Sequence, residues 1–594
     1  MRTFAAAIAL ATAPLALALP VTQAAAQEQA DTASQDWVET SNAYTQQVID
    51  MQAQFFPTGA SSAGYEQYDG LVNDMSLDRD ERYVAAARTL RSKFEAALTT
   101  ETNTYVKQDL QILINSLSQD IEGIELGNKY MLEYGEVPQG MFGNIGQLLS
   151  DQTAESRRPK ALELLKRYTG MWPGTEPMTE LAKRRFEASR GEGKMGPYRV
   201  EVEEAVANIP TYVSGIRELF GEYGIEGAED ALDAMESQLT GYGEWTTQTV
   251  LPTARDNPRL PPELYALSLK QVGIDMDPYE AMSQARRGFY EVRAQMEALA
   301  PQIAAKHGWA ETDYASVMAK LKESTIPNDE IEDFYRGVNA ELEAKIREND
   351  IVSLPDTVLQ MRVASAAESA AQPAPHMRPP RLIGNTGEQG TFVLTVANPT
   401  AAEGEEYDDF NFPAASWTLS AHEARPGHEM QFSALVEQGV SRARLLYAFN
   451  SVNVEGWALY AEAEMLPHEP IEGQFIAQQF RLLRTARAFL DPMLNLGLID
   501  REEAGRVLRE EALFSPGMVK QELDRYQFRM PGQAGSYYYG YRKLIDLRIE
   551  AEVALGDRFN EKAFNDFLLS QGIIPLELMA KAVREEFIPS QQAD

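Results

Sequence analysis

The residues of this chain that could do chemistry are concentrated in two short segments. His422 and Glu423 are followed within seven positions by His428, and Glu455 lies 27 residues farther on, in a predicted helix. Histidine is scarce, with five copies in 594 residues. Two imidazoles and a carboxylate make up the ligand set of a mononuclear zinc hydrolase, and a second carboxylate can act as the base. The pattern predicts His422, His428 and Glu455 as zinc ligands and Glu423 as the general base.

The spacing of the two histidines requires a break in the helix that carries them. His428 is six positions after His422, which corresponds to about 120° around an ideal helix, so an unbroken helix would point the two rings apart. Pro426 and Gly427 lie between them. Proline removes a helical N–H and glycine accepts unusual dihedral angles. A break at this point is therefore expected to turn His428 back toward His422.

The segment around Glu455 is suited to close packing. Gly456, Ala458 and Ala461 are small, so the helix can approach a neighbour closely. Glu462 is seven residues after Glu455 and lies on the same helical face, where it is a candidate acceptor for a ligand histidine N–H. The alternative is a solvated acidic helix face beside two ordinary histidines.

These motifs resemble those of a known family. The resemblance is carried by His422 to His428, Glu455 to Glu462, Arg525-Tyr526, Pro531-Gly532-Gln533-Ala534 with Tyr537, and the closing Gly572-Ile573-Ile574-Pro575-Leu576. Together they resemble the bacterial family called domain of unknown function 885. That family is grouped with the gluzincin metallopeptidases, whose zinc is held by two histidines and one glutamate. The resemblance implies the same three ligands and a peptidase activity.

The resemblance also implies groups that handle the substrate. Tyr537 matches a tyrosine of the family, and related gluzincins recruit such a phenol to stabilise the oxyanion. Gln533, four residues earlier, would share its face if this segment is helical. Independently of the resemblance, the residue types of Arg542 and Arg548 make them candidate ligands for a substrate carboxylate, with structural ion pairs as the alternative. Three further tyrosines are alternatives to Tyr537: Tyr538, Tyr539 and Tyr541.

The chain departs from the family pattern in a few places. Many members have a second histidine directly after the motif, where this chain has Glu429. Two other typical segments are replaced by Asp491–Asn495 and Phe564–Asp566. The predicted ligands and base are intact, so these changes bear on substrate specificity more than on metal binding.

Charge and composition restrict the class of protein. The formal net charge is −35 at pH 7, which argues against binding to nucleic acid or to anionic membranes. The chain has no cysteine, so disulfides, thiolate ligands and lipid attachment through cysteine are excluded. The predicted partner is a peptide substrate, and the sequence makes no prediction of oligomeric state.

The first residues predict export. Arg2 precedes an Ala/Leu-rich apolar run from Phe4 to Leu19, and small residues lead up to Ala26. This arrangement predicts a signal peptide over residues 1–26 that is cleaved near Ala26. We therefore expect a periplasmic or secreted protein without membrane insertion after cleavage.

The rest of the chain predicts a mainly α fold. Apolar residues recur every three or four positions in the segments 77–100, 105–126, 200–220, 228–250 and 279–300. We expect a large multi-helix, metallopeptidase-like architecture with a deep cleft. The expected division is an N-terminal helical region over residues 27–350 and a catalytic region over residues 351–594, which share one continuous fold.

One segment predicts a strand near the metal site. Gly390–Val396 is rich in β-branched residues and ends about 25 residues before His422. Because gluzincins typically hold an extended peptide against an edge strand, the resemblance suggests this role here. An ordinary buried strand of a small sheet is the alternative.

The expected function is that of an exported zinc metallopeptidase acting on short or unfolded peptides. Two alternatives remain open: a zinc hydrolase of a non-peptide amide or ester, and a non-catalytic exported binding protein. His307 and His376 require no metal role. Among the remaining histidines, His468 is the one substitute ligand, and its replacement by alanine should leave zinc stoichiometry unchanged.

Overall fold

The chain is described by a computed structural model. It covers residues 24–150, 153–364, 374–380, 382–385, 387–395, 407–437 and 439–593, with only the backbone for residues 24–35 and 593. Residues 1–23 of the predicted signal peptide lie outside the described residues. No described helix is both long enough and apolar enough to cross a membrane.

The chain forms two compact units. The first contains the described residues of Met1–Leu267, with Ile383–Glu388 and Ser441–Ala443. Its helices are α1 (Ala24–Ala53), α2 (Pro57–Ser62), α3 (Arg79–Thr100), α4 (Thr104–Tyr130), α5 (Val137–Leu148), α6 (Lys160–Tyr168), α7 (Met178–Ser189), α8 (Arg199–Ala207), α9 (Ile209–Glu222), α10 (Glu229–Trp245) and the start of α11 (Pro262–Val272). Apolar side chains of α5, α6, α9 and α10 form a buried core, which includes Ile145, Leu165, Ile216 and Leu239.

The second unit contains the described residues of Ser268–Leu382, Gln389–Val440 and Arg444–Asp594. Its helices are α12 (Pro278–His307), α13 (Tyr314–Lys322), α14 (Ile331–Glu348), α15 (Ala415–Glu423), α16 (His428–Glu437), the end of α17 (Arg442–Leu446), α18 (Ser451–Met465), α19 (Ile471–Asn495), α20 (Arg501–Arg506), α21 (Pro516–Asp524), α22 (Ser536–Leu555), α23 (Glu561–Ser570), α24 (Leu576–Ala582) and α25 (Ile588–Ala593). All predicted site residues belong to this unit.

Two long helices form much of the core of the second unit. α12 packs along α19, and Phe289 meets Phe489 edge to face with ring centres 5.5 Å apart. Both rings are buried together with Ala285 and Met296. The packing that supports the site therefore includes helices upstream of residue 350.

The predicted mainly helical fold is confirmed. Four of the five predicted helical segments correspond to α3, α4, α10 and α12. The fifth, residues 200–220, is wrong as a single helix because α8 ends at Ala207 and α9 starts at Ile209. Pro210 is the second residue of α9. Its missing N–H is tolerated in a first turn but would break an uninterrupted helix.

The predicted small sheet is also confirmed. It consists of β1 (Gln360–Val363), β2 (His376–Arg378) and β3 (Thr391–Leu394) in the order β1-β3-β2. β3 pairs in parallel with β1 and antiparallel with β2. It lies within the predicted strand segment, of which Val396 is outside the described residues.

The suggested edge role of β3 is wrong. β3 is the central strand, and Phe392, Val393 and Leu394 are fully buried. Both of its backbone edges are already paired, so it cannot accept an additional strand. The buried-strand alternative is the one observed, and β2 is an edge strand of the sheet.

Candidate metal centre

The predicted break between the two histidines is present. α15 ends at Glu423 and α16 begins at His428. A Cβ placed on Gly427 would lie 1.9 Å from the carbonyl oxygen of His422, so this close turn requires glycine. Trp457 Nε1 donates a hydrogen bond of 3.0 Å to the carbonyl of Pro426. The break is thus held against the helix that carries Glu455.

The turn brings the two imidazoles together beside one carboxylate. The rings of His422 and His428 have centres 4.8 Å apart and lie nearly perpendicular. Glu455 Oε2 lies 3.6 Å from Nε2 of His422 and 3.4 Å from Nε2 of His428. This oxygen is buried and has no hydrogen-bond partner among the residues that the structure describes. Three potential donor atoms therefore converge without bonding to one another.

These separations fit a shared metal ion. Two donor atoms that are each about 2.1 Å from one tetrahedral zinc ion are about 3.4 Å apart. Glu455 Oε2 lies close to this distance from both imidazole nitrogens. Burial alone would raise the pKa of Glu455, but His422 and His428 hold it well below its usual value. The donor set, two imidazoles and one carboxylate, suits Zn²⁺.

A second carboxylate lies at the same place. Ligand-capable atoms of His422, Glu423 and His428 lie within 4.8 Å of one another. Glu423 Oε1 is 3.9 Å from His422 Nε2, and Glu423 Oε2 accepts a 2.8 Å hydrogen bond from the backbone N–H of Met377 in β2. The shorter distances favour Glu455 as the ligand and leave Glu423 as the adjacent carboxylate.

His422 is oriented from behind by Glu462. Its Nδ1 lies 2.7 Å from Glu462 Oε1, so Nε2 faces Glu455. Arg484 Nη2 also donates to Glu462 Oε1, at 3.2 Å. Burial lowers the pKa of His422, but Glu455 and Glu462 outweigh this effect and raise it to about 9. The carboxylate–imidazole pair fixes both the ring and the nitrogen that it presents.

The loop between the histidines is anchored by Arg425. This residue is fully buried, and its guanidinium donates to Glu429 at 2.7 Å, to Glu343 at 3.0 Å and to the carbonyl of Thr357 at 2.9 Å. Glu429 occupies the position where many family members have a histidine. Here its carboxylate pairs with Arg425, so this departure from the family pattern has a structural partner.

Tyr537 lies against the histidine pair. Its ring stacks beside that of His422 with centres 6.4 Å apart. Its hydroxyl accepts a 2.9 Å hydrogen bond from Arg525 Nη2, which leaves the phenolic proton free to be donated. Gln533 Oε1 in turn accepts from Arg525 Nε at 2.8 Å, while its amide donates to Ser451. Gln533 therefore positions Arg525, and Arg525 positions Tyr537.

The other tyrosines of this segment have different surroundings. The hydroxyl of Tyr538 packs where a side chain on Gly288 would lie. The hydroxyl of Tyr539 is buried and has no partner in the described part of the chain, and Lys543 lies over its ring. The ring of Tyr541 lies against Arg481. Among the described residues, their contacts do not include the histidine pair.

The two predicted substrate-binding arginines make ion pairs. Arg548 contacts Glu464 at 2.5 Å and Glu552 at 2.7 Å. Arg542 is half-exposed and lies 3.8 Å from Asp546. These contacts match the structural alternative, and a role of either arginine in substrate binding stays a prediction.

The remaining histidines lie elsewhere. His307 stacks on Trp309 and contacts Glu472 at 2.6 Å. His376 begins β2, and His468 ends a short 3₁₀ turn. In the part of the chain that the structure describes, none of the three joins the group of possible metal ligands.

Several residues near the site were not predicted from the sequence. Arg481, Arg484 and Arg487 follow one another at three-residue intervals on α19, and all three are buried. Arginines at helical spacing within an otherwise apolar helix are a readable signal, because a buried guanidinium requires partners. Arg525 belongs to a motif of the family resemblance, but no role was predicted for it, and the backbone N–H of Met377 carries no sequence signal.

Comparisons with known proteins agree with the fold. A family model described as "Bacterial protein of unknown function (DUF885)" matches residues 57–583. No curated protein matches the sequence. A solved structure of a candidate lipoprotein of unknown function from Shewanella oneidensis has a TM-score of 0.71 and 19% identity, and covers 92% of this chain and 100% of that one. Another, from Colwellia psychrerythraea, has a TM-score of 0.73 and 17% identity, with coverages of 94% and 99%. At these identities the likeness establishes a common fold.

Proposed function

Because the chain belongs to the bacterial DUF885 family, whose function is unknown, we propose a function from its site: a zinc-dependent metallopeptidase that hydrolyses short or unfolded peptides. The observation that carries the proposal is the convergence of Glu455 Oε2 on the Nε2 atoms of His422 and His428, at 3.6 and 3.4 Å. The unpartnered state of this buried oxygen supports a metal ligand over a hydrogen-bonded carboxylate.

The proposed metal site has the residues of a catalytic gluzincin-like centre. His422, His428 and Glu455 would hold Zn²⁺ and leave a fourth position open. When bound, the ion would lower the pKa of a coordinated water toward about 7 and polarise the substrate carbonyl. Glu462 would keep the ring of His422 in place. A structural zinc site has no use for a free carboxylate beside its ligands, so the presence of Glu423 favours catalysis.

Glu423 is the proposed general base. Its Oε2 is held by the backbone N–H of Met377, so its other oxygen is available to accept a proton from the attacking water. The same carboxyl then donates that proton to the leaving amine. The side chain of Glu423 is 15% exposed, which leaves room for water and substrate to reach it.

Tyr537 is the proposed oxyanion donor. Its phenol accepts from Arg525 and keeps its own proton for donation to the developing negative charge. The cationic neighbour increases the hydrogen-bonding strength of the phenol. The ring stacked beside His422 lies close to where the carbonyl would react.

The proposed substrate is an extended chain. Access to the proposed site would be restricted, because the side chains of Glu423 and Glu455 are only 15% and 16% exposed. β2 is an edge strand of the sheet, and its Met377 N–H donates a hydrogen bond to Glu423. A peptide laid along this edge would pair with backbone groups beside the base. Restricted access of this kind would favour short or unfolded peptides over folded proteins.

Export is also part of the proposal. An apolar run follows Arg2, and the two structural neighbours carry the name of candidate lipoproteins. The sequence contains no cysteine for lipid attachment. We therefore propose that this chain is exported, and we do not propose a lipid anchor for it.

A peptide library tests the proposed function. The zinc-loaded protein and its Glu423→Gln variant are incubated with mixed peptides, and new termini are identified by mass spectrometry. New termini made by the wild type alone would establish a peptidase. Cleavage of amide or ester probes without peptide cleavage would favour the non-peptide hydrolase. No hydrolysis of any probe with stoichiometric zinc would favour a binding protein.

A further inference from the structure

A row of buried arginines leads away from the metal centre. Arg481 and Arg484 lie on one face of α19, opposite tyrosines of α22 that are four residues apart. The Arg481 guanidinium is 5.1 Å from the ring centre of Tyr541, and that of Arg484 is 6.0 Å from Tyr537. Arg484 also contacts Glu462, the partner of His422. The row therefore starts directly behind the proposed metal ligand.

The first two arginines of the row have unused hydrogen-bond donors. Arg481 is 8% exposed and Arg484 is 5% exposed. Nε and Nη2 of Arg481, and Nε and Nη1 of Arg484, are buried without a partner among the described residues. Buried guanidinium groups normally have every N–H engaged. These donors are oriented and dehydrated, which suits them to bind an anionic oxygen acceptor.

In the ion pairs around the row that the structure describes, guanidinium groups outnumber carboxylates. Arg487 forms a two-pronged ion pair with Glu522, and Arg525 shares the same carboxylate at 3.6 Å. Arg484 shares Glu462 with His422. Fewer carboxylates than guanidinium groups thus take part in ion pairs here.

Arg481 has no ion pair in the described part of the chain. Glu469 and Glu462 both act on it electrostatically, yet neither oxygen of Glu469 has a hydrogen-bond partner among the described residues. Burial raises the pKa of Glu469 to about 8, so its carboxyl is largely neutral at pH 7. Glu469 therefore does little to balance the charge of Arg481, and Glu462 is already shared by Arg484 and His422.

We propose that Arg481 and Arg484 bind a carboxylate of the substrate beside the metal centre, so that the enzyme reads the C-terminal end of its peptide. The inference rests on the proposed function and adds a substrate class to it. Ring contacts of 6.0 and 6.4 Å link Arg484 to His422 through Tyr537. An extended residue spans about 3.3–3.6 Å. The bound carboxylate would lie about one to three residues beyond the scissile bond.

Binding to a variant that cannot hydrolyse tests this inference. Zinc-loaded Glu423→Gln protein is titrated calorimetrically with three probes: acetyl-tetraalanine with a free carboxylate, its C-terminal amide, and an amidated peptide whose last residue is glutamate. We expect the free acid to bind at least about ten-fold more tightly than its amide. Tight binding of the glutamate amide as well would identify a side-chain carboxylate as a second source of the same chemistry.

Arginine variants test whether the preference for the free acid over its amide depends on Arg481 and Arg484. In the same background, Arg481→Gln and Arg484→Gln should each reduce the acid-to-amide ratio at least three-fold. Arg484→Lys should give an intermediate ratio, because it keeps the charge but not the two-pronged geometry. Arg584→Gln is the control, since Arg584 is exposed and paired with Glu550. Zinc content and melting temperature are measured for each variant to verify the fold.

The outcomes separate this inference from the proposed function. Equal binding of acid and amide, no binding of any probe, or an unchanged ratio in both glutamine variants would overturn the carboxylate subsite. A preserved acid preference that disappears in the arginine variants would support it even if the wild type cleaves no peptide. Failure of the wild type to cleave any peptide would contradict the peptidase proposal alone.

Discussion

Gly456 and Gly540 touch each other where α18 crosses α22. A Cβ on Gly456 would lie 2.7 Å from the carbonyl carbon of Gly540, and a Cβ on Gly540 would lie 2.0 Å from the carbonyl oxygen of Val452. Glu455 immediately precedes the first glycine, and Tyr537 lies one helical turn before the second. The contact between the two glycines therefore sets the separation between the proposed third ligand and the proposed oxyanion donor.

Gly540→Ala should separate these two helices. The added methyl has no space against Val452, so we expect a loss of about 1–3 kcal/mol in unfolding free energy and weaker zinc binding. Chemical denaturation and a chelator competition measure the two effects. Gly337→Ala in α14 is the matched control, because a Cβ added there would meet no packed neighbour within 4 Å; it should be neutral or stabilising. Equal effects in both variants would contradict the role of the glycine contact.

Glu462→Gln should weaken the metal site without removing a ligand. The amide cannot provide the charge that orients His422, so we expect a 10- to 100-fold loss of zinc affinity. Competition with a chromogenic chelator measures this loss. Glu464→Gln on the same helix is the control, because Glu464 pairs with Arg548. Unchanged zinc affinity in Glu462→Gln would show that this carboxylate does not support the ligand.

Tyr537→Phe should impair catalysis while zinc remains bound. Loss of a single oxyanion donor typically lowers kcat about 10²- to 10³-fold, and the change leaves the ring stacked on His422. Steady-state kinetics on a cleaved peptide and zinc analysis provide the two readouts. Tyr538→Phe is the comparison, since its hydroxyl packs near Gly288. A normal kcat in Tyr537→Phe would assign the donor role to another group.

Glu469 should make stability depend on pH in the neutral range. Burial, and then the nearby Glu462, raise the pKa of its carboxyl from 4.5 to about 8. The folded protein keeps a proton that the unfolded chain loses, so this contribution is fully present below pH 4.5 and is lost as pH rises to 8. The loss is up to about 1.4 kcal/mol per pH unit. Glu469→Gln should flatten the denaturation free energy between pH 5 and 8. An unchanged slope would contradict the raised pKa.

The local chemistry of the site was largely readable from the sequence. Pro426 and Gly427 predicted the break, because helical geometry alone could not bring the two histidines together. The small residues after Glu455 predicted a close helix contact, and Gly456 makes one with Gly540. Both are short-range consequences of residue type and spacing.

The long-range arrangement was not readable. The predicted strand was found, but its central place in the sheet depends on β1 and β2, whose pairing no local pattern specifies. Met377 donates to Glu423 from 46 residues away. Arg525 reaches Tyr537 through the packing of a separate segment. Such contacts are fixed by tertiary packing and not by local periodicity.

X-ray absorption at the zinc edge, combined with zinc analysis of the purified protein, tests the central claim most directly. We predict one zinc ion per chain, with two imidazole nitrogens and at least one oxygen at about 2.0–2.2 Å. The imidazole scattering should fall when either His422 or His428 is replaced by alanine, and should stay unchanged in His468→Ala. Substoichiometric zinc, or a spectrum without imidazole scattering, would contradict the metal centre and the function built on it.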